Sequence, residues 1–221
     1  QEWNDEQEHR KFIEDFFEET KAHSFISVSG LALGVDKEVH EQSLNHEIPT
    51  IGVLAHGFHT FYPSKNKKLS EKILEEKGGL LTEFNSLRKP DRENFIQRNR
   101  IVAGISPATI VVETAFGGGS ISTATFANTY NRDVFALPGR VTDKFSQGCN
   151  HLIFQNKATA ISTVKDLLDL IGFNDSKEKI GELFPHSKVI IQLSANQELI
   201  YKCVAVDPHV NLDDLAEQMS F

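Results

Sequence analysis

Cysteine is scarce in this chain: 221 residues contain two, Cys149 and Cys203, far apart and without the partner spacing of a zinc site. A disulfide framework is thereby excluded, and both thiols are expected to be reduced, as in a cytoplasmic protein. Long apolar runs are missing too. Stretches such as Ile101–Ala103 and Ile110–Val112 are far too short to cross a bilayer. Gln1–Glu8 is polar and acidic, unlike a charged-then-apolar secretory leader, so no membrane partner is expected. Positive charge is in deficit, with 23 Lys and Arg against 31 Asp and Glu and a net charge of −8. That balance excludes a protein that coats nucleic acid with its whole surface. A local basic site remains open, because salt confines surface fields to about 10 Å.

The composition that is present, 39% hydrophobic and 24% charged, is that of a folded domain. Trp3 to Thr20 carries Phe12, Ile13, Phe16 and Phe17 at helical spacing, an amphipathic helix for the domain edge. Short apolar strands then alternate with helices. Strands are expected at Phe25–Val28, Thr50–Leu54, Leu80–Leu81, Thr109–Val112 and Val134–Ala136. Helices are expected at Asp36–Asn45, Asn66–Lys77, Asn94–Ile105, Ser120–Tyr130 and Val164–Ile171. The fold class is therefore α/β, an extended Rossmann-like parallel sheet with helices on both faces. The organisation expected is an N-terminal helix at 1–23, the main domain at 24–173, a linker at 174–194 and a C-terminal segment at 195–221. Asn196–Val206 and Leu212–Met219 read as two short helices around Asp207–Pro208. They suit either a partial winged helix, which is favoured on the family resemblance below, or a helical cap on the sheet.

Three segments carry chemistry. In Ser29-Gly30-Leu31-Ala32-Leu33-Gly34-Val35-Asp36 two glycines bracket a strand-to-helix turn, where backbone N–H groups and a helix terminus suit a phosphate. A tight turn without ligand is the plain alternative. Asp36 fits a helix cap, and with His40 one turn on it has metal-binding spacing. No third ligand is evident, so a capping aspartate beside a packed histidine is preferred and no metal is expected. The second loop, Phe116-Gly117-Gly118-Gly119-Ser120-Ile121-Ser122-Thr123-Ala124, has three glycines in succession. Such a run costs backbone entropy unless the chain takes unusual dihedrals or admits a ligand. Ser120, Ser122 and Thr123 add hydroxyl donors. Close helix packing at Ala124 and Ala127 is the alternative, and anion binding is favoured. The third segment, Arg88 to Arg100, sets five basic residues against two acidic ones. Arg92, Phe95 and Arg98 are three apart and share a helix side, with Asn99 and Arg100 beside them. Arginine flanking an aromatic ring offers phosphate contacts and a platform for a base.

Together these residues resemble the DprA/Smf family. The matching pieces are Ser-Gly-Leu-Ala-x-Gly-Val-Asp at 29–36, Tyr62-Pro63, Phe-x-x-Arg-Asn-Arg-Ile-x-Ala-Gly at 95–104, Gly-Ser-x-x-Thr-Ala at 119–124, Phe-Ala-x-Pro-Gly at 135–139 and Ser-x-Gly-Cys-Asn-x-Leu-Ile at 146–153. The resemblance implies a homodimer that binds single-stranded DNA and passes it to the RecA recombinase in natural transformation, without catalysis or cofactor. Carried over by position, Arg92, Phe95, Arg98, Asn99 and Arg100 face the DNA. Ser29, Gly30, Gly34, Gly118, Gly119, Ser120 and Thr123 hold its phosphates. Three basic features of the family are missing. No Gly-Ser/Thr-Arg loop precedes Phe25, Leu33 replaces an arginine, and Gly118 replaces a lysine. Weaker DNA binding is implied, and the abrupt passage from the first helix to Phe25 raises the expectation that residues are omitted there.

A phosphoribohydrolase of the lysine-decarboxylase-like group is the alternative. Its pattern needs a glutamate after the glycine loop to assist base release, and no carboxylate follows Thr123. Glu113 lies before the glycines, where it is expected to brace the loop. A dinucleotide-dependent oxidoreductase is disfavoured because Gly-x-Gly-x-x-Gly is absent. An interaction scaffold with purely structural glycines remains. Phe126, Tyr130 and Phe135 suit either core or dimer interface.

Overall fold

The computed structural model describes residues 5–173; the linker and C-terminal segment expected at 174–221, and Cys203 with them, lie outside the described residues. Helix α1 (Asp5–Thr20) opens the domain. It leads into β1 (Ser27–Ser29), α2 (Val35–Asn45) and β2 (Thr50–Val53). A 3-10 turn at Ser64–Asn66 precedes α3 (Lys67–Glu75), β3 (Gly79–Leu81) and α4 (Arg92–Ile105). The second half runs β4 (Ala108–Val111), α5 (Gly119–Thr129), β5 (Asp133–Ala136), α6 (Gln147–Phe154), β6 (Thr159–Ala160) and α7 (Val164–Ile171).

All pairings are parallel, as expected for strands joined by crossover helices. The strands form two three-stranded sheets, β1-β2-β3 and β4-β5-β6, where the sequence pattern suggested one. Among the described strands β1 and β4 each pair on one side only. Their neighbourhood is a cavity of about 980 Å³, lined by residues of both strands and of α1. Period-2 and continuous apolar patterns locate strands but carry nothing about which strand lies beside which, so this division was invisible beforehand.

Helix α1 is what couples the halves. Ile13 and Phe17 pack with Ile48, which precedes β2, and with Val112, which follows β4. Phe12 and Phe16 reach the cluster of Phe135, Ile161 and Leu167 on the second sheet. Full burial of a side chain such as Ile13, Phe17 or Leu167 stabilises the fold by about 1.5–3 kcal/mol, and the partly buried Phe12 and Phe16 contribute less. In the second half Ala103, Ala124 and Ala127 are fully buried and let α4 and α5 approach closely over Val111, Val134 and Ala136. Phe135 is core, whereas Tyr130 is 41% exposed and stacks on Phe126 at 6.3 Å. Helix α7 is closed by a capping box between Thr163 and Asp166 and by Gly172 at φ 76°. Cys149 is buried, which pushes its thiol up to about 12 and leaves it inert.

Asp36 departs from its expected role. Gly34 occupies the N-cap of α2, and the Asp36 carboxylate turns back to accept from Ser29 Oγ at 2.6 Å and Ala32 N at 3.1 Å. His40 is completely buried, with Nδ1 2.7 Å from Thr50 Oγ1 and Nε2 unpartnered. No group of three or more metal-ligating side chains occurs among the described residues.

Burial holds the His40 pKa down to about 4 from an ordinary 6.5, with Asp36 pushing it up and Arg98 down. The unfolded chain therefore binds a proton that the folded chain refuses between those values. This contribution to stability is complete above about pH 6.5 and is lost as pH falls toward 4. Urea titrations at pH 7 and pH 5 should show a smaller stability loss for His40→Gln than for the wild type; equal losses would refute the assignment.

Candidate nucleic-acid interface

The first glycine loop is built around a buried arginine. Arg98 projects from α4 beneath the loop, 4% exposed, and donates through Nη1 to Gly30 O at 2.5 Å and to Val53 O. Its Nε donates to Asn99 Oδ1 at 3.0 Å. A Cβ on Gly30 would lie 2.5–2.7 Å from the guanidinium atoms, so a side chain there would push the guanidinium off its carbonyl partners. Burial draws the Arg98 pKa down and the nearby Asp36 carboxylate draws it back. Asn66, also buried, donates to Leu31 O at 3.0 Å and Ala32 O at 2.9 Å. The loop is thus fixed from below and from the side, while Gly34, at φ 83°, has open space where a side chain would be.

The second loop rests on α6. Thr114 N donates to Phe145 O at 2.7 Å and Gly148 N to Thr114 O at 2.9 Å. Gly118 N closes onto Ala115 O at 2.9 Å, and Gly118 is the N-cap of α5 with no side-chain cap. The N–H groups of the first turn of α5 therefore lack a capping side chain, and the helix dipole adds a field that favours an anion. Gly117, at φ 73°, and Gly119 both have open space around the position of a Cβ. Asn99 ties α4 to this turn, donating to Ser122 Oγ at 2.8 Å and to Gly119 O at 3.3 Å.

On α4 the expected trio descends from solvent to core. Arg92 is exposed, Phe95 is half-buried and Arg98 is buried. The Phe95 ring meets Tyr62 edge-on at 5.8 Å, and the Arg98 guanidinium lies 5.8 Å from the Phe95 centroid. Arg98 therefore differs from the expectation that it faces a strand. A charge taken out of water must be hydrogen-bonded, and here two main-chain carbonyls and the Asn99 amide oxygen accept from it. Arg100 is exposed and paired with Glu83. Asp91 caps α4, accepting from Glu93 N at 3.0 Å.

Ser29, Gly30, Gly34, Phe95, Arg98, Asn99, Gly119, Ser120 and Thr123 line one cavity, the 980 Å³ space between the sheets. Gly118, Arg92 and Arg100 lie outside its lining. Glu113 lines it too, with Oε2 3.4 Å from Nδ1 of the buried His9. Asn66 and His9 were not singled out from the sequence, where a buried polar residue leaves no periodic signal.

A parallel α/β protein whose glycine loops meet beyond the carboxyl ends of its strands, beside an aromatic and an arginine, is the class defined so far. The family profile described as "DNA recombination-mediator protein A" matches residues 4–172. Protein Smf of Synechocystis is 42% identical over 148 residues, covering 67% of this chain and 37% of that protein. DNA processing protein DprA of Streptococcus pneumoniae is 38% identical over 146 residues, 66% of this chain and 51% of that one. The X-ray structure of the S. pneumoniae DprA superposes with a TM-score of 0.66 at 34% identity, covering 74% of this chain and 56% of that one. A Helicobacter pylori DprA structure, titled for its single-stranded DNA binding mode, gives 0.66 at 26% identity, covering 75% and 74%. The chain belongs to the DNA recombination-mediator protein A family, also called DprA/Smf. It spans between 37% and 51% of the length of these curated relatives.

Arg98 is thus a structural support. Replacing Arg98 with methionine, or Gly30 with alanine, should destabilise the fold by about 3 kcal/mol, the scale for breaking a buried charged network. Arg92→Ala should change stability by less than about 0.5 kcal/mol. Chemical denaturation checks both, and an unaltered midpoint for Arg98→Met would overturn the role given to it.

Proposed function

We propose that this protein binds single-stranded DNA without catalysing a reaction on it, in the cytoplasm. The carrying observation is that Phe95 and residues of both glycine loops line one cavity, with open space around Gly34 and Gly119 and, next in the second loop, around Gly117. Phosphate oxygens approach main-chain N–H groups most closely where no Cβ intervenes. Arg92, one helical turn before Phe95 on α4, supplies an exposed cation, and Phe95 supplies a face on which any base stacks. Arg98 and Asn99 act by holding the loops, so their contribution to binding is preorganisation.

The H. pylori relative is described as binding single-stranded DNA, which supports the same ligand here. Family membership supports the larger role. In it the protein acts as a homodimer and delivers the strand to the RecA recombinase during natural transformation. Leu33, 55% exposed, and Gly118 stand where the family carries basic residues, so phosphate neutralisation rests on fewer cations. No carboxylate lies in the turn after Thr123, which leaves base hydrolysis without a positioned acid.

Binding to oligothymidylate should weaken steeply with salt. Arg92→Ala should reduce the logarithmic salt slope by about 0.7, the value for one phosphate contact on a single strand. Phe95→Ala should weaken binding about tenfold with the slope unchanged, because stacking releases no counterion. Wild-type behaviour of both variants would refute the assigned site. Incubation with nucleoside monophosphates should release no free base, and steady turnover would refute the non-catalytic reading.

A further inference from the structure

A second aromatic surface continues from Phe95 onto the segment between β2 and the 3-10 turn. Tyr62 touches Phe95 edge-on and is 53% exposed, and Phe58, four residues earlier, is 60% exposed. Both sit on a strap between β2 and the 3-10 turn that is held rigidly from beneath. Tyr62 N lies 3.1 Å from Nε2 of the buried His56 and Tyr62 O equally close, while Nδ1 of that ring lies 2.9 Å from Gly57 O. Thr82 Oγ1 donates to His56 O at 2.8 Å. The strap is zipped to the loop before α4, with Gly57 N donating to Arg88 O and His59 N to Ser86 O, both at 2.9 Å. The two loops are so close that a Cβ on Gly57 would lie 2.0 Å from Asn85 O. Two large rings are therefore presented to solvent on a backbone tied down by these hydrogen bonds.

The surrounding charge indicates what covers them. From Ile48 to Ser70 there is no aspartate or glutamate, and Lys65, Lys67 and Lys68 fall in that stretch. The loop zipped against it adds exposed Arg88 and Lys89. This is a local positive field on a chain of net charge −8. Exposed rings interleaved with cations suit a polyanion bearing flat, apolar faces, which is the chemistry of a single nucleic-acid strand.

We propose that Tyr62 and then Phe58 stack further bases beyond Phe95, and that Lys65 and Lys89 contact the phosphates between them. The strand thus leaves the glycine loops along the paired loops 57–63 and 85–89. This extends the binding proposed above and depends on it. Among side chains of the strap, Tyr62 is the second stacking platform and Phe58 the third.

The test measures affinity of the full chain for oligothymidylates of increasing length, together with the corresponding abasic chains. Wild-type affinity should keep rising past the length at which Tyr62→Ala reaches its plateau. At saturating length Tyr62→Ala and Phe58→Ala should each bind about tenfold more weakly with an unchanged salt slope. Lys65→Ala and Lys89→Ala should each lower the slope by about 0.7. Tyr62→Phe keeps the ring and should bind as the wild type does, and abasic chains should show no difference between Tyr62 and alanine. If Arg92→Ala weakens binding while Tyr62→Ala matches the wild type at every length, the extended path is wrong and the core site stands. If no oligothymidylate binds at all, the parent proposal fails and this one with it. If Tyr62→Ala alters oligomeric state without altering affinity, the rings are a contact between copies and the path is again refuted.

Discussion

A single guanidinium placed under two strand ends organises this domain. Arg98 reaches from α4 to the carbonyls of Gly30 and Val53, where β1 and β2 stop, and so joins a helix to both strands at their carboxyl ends. Its charge is tolerated there because donors meet acceptors and because the Asp36 carboxylate lies close by. Gly30 follows from it, since a Cβ there would displace the guanidinium from its carbonyls. Asp36 in turn holds Ser29 and Ala32, so helix α2 starts without a side-chain cap and Gly34 takes the N-cap. The shape of the first glycine loop is a consequence of hydrogen bonds made beneath it.

The same logic relates rigidity to binding on an acidic protein. A net charge of −8 repels a polyanion at long range, and screening limits that repulsion to about 10 Å at moderate salt. Within that radius fixed donors count for most, because a loop already ordered loses little entropy when a phosphate arrives. Asn99 performs for the second loop what Arg98 does for the first, by tying α4 to the start of α5. One helix therefore positions both loops, and Phe95 stands on that helix between them.

Much of this was legible beforehand, and the exceptions share a cause. The helices were found because their apolar periodicity and end signals agree; α7, with Thr163, Asp166 and Gly172, matches its expected bounds at both ends. Helix α6 is short, and the spacing of Cys149, Leu152 and Ile153 spans barely more than one turn, too little for a periodic signal. Strand β6 has two residues, too few to show any alternation. The division of the sheet and the burial of Arg98 were hidden for a deeper reason. Both depend on what lies beside a residue in space, and neighbours across a sheet leave no trace in local spacing. An arginine in a basic run reads as a surface cation until its carbonyl partners are known.

The one-sided pairing of β1 and β4 also affects how copies of the protein behave toward one another. An open strand edge can pair with another extended chain, and here both edges line a space that Phe12, Ile13, Phe16 and Phe17 of α1 also line, so a helix stands where an intruding strand would have to enter. The surplus of carboxylates then has a second consequence. It disfavours non-specific association of copies at long range, so the negative charge that weakens affinity for a polyanion also favours solubility, while a specific contact between copies forms within the screening length.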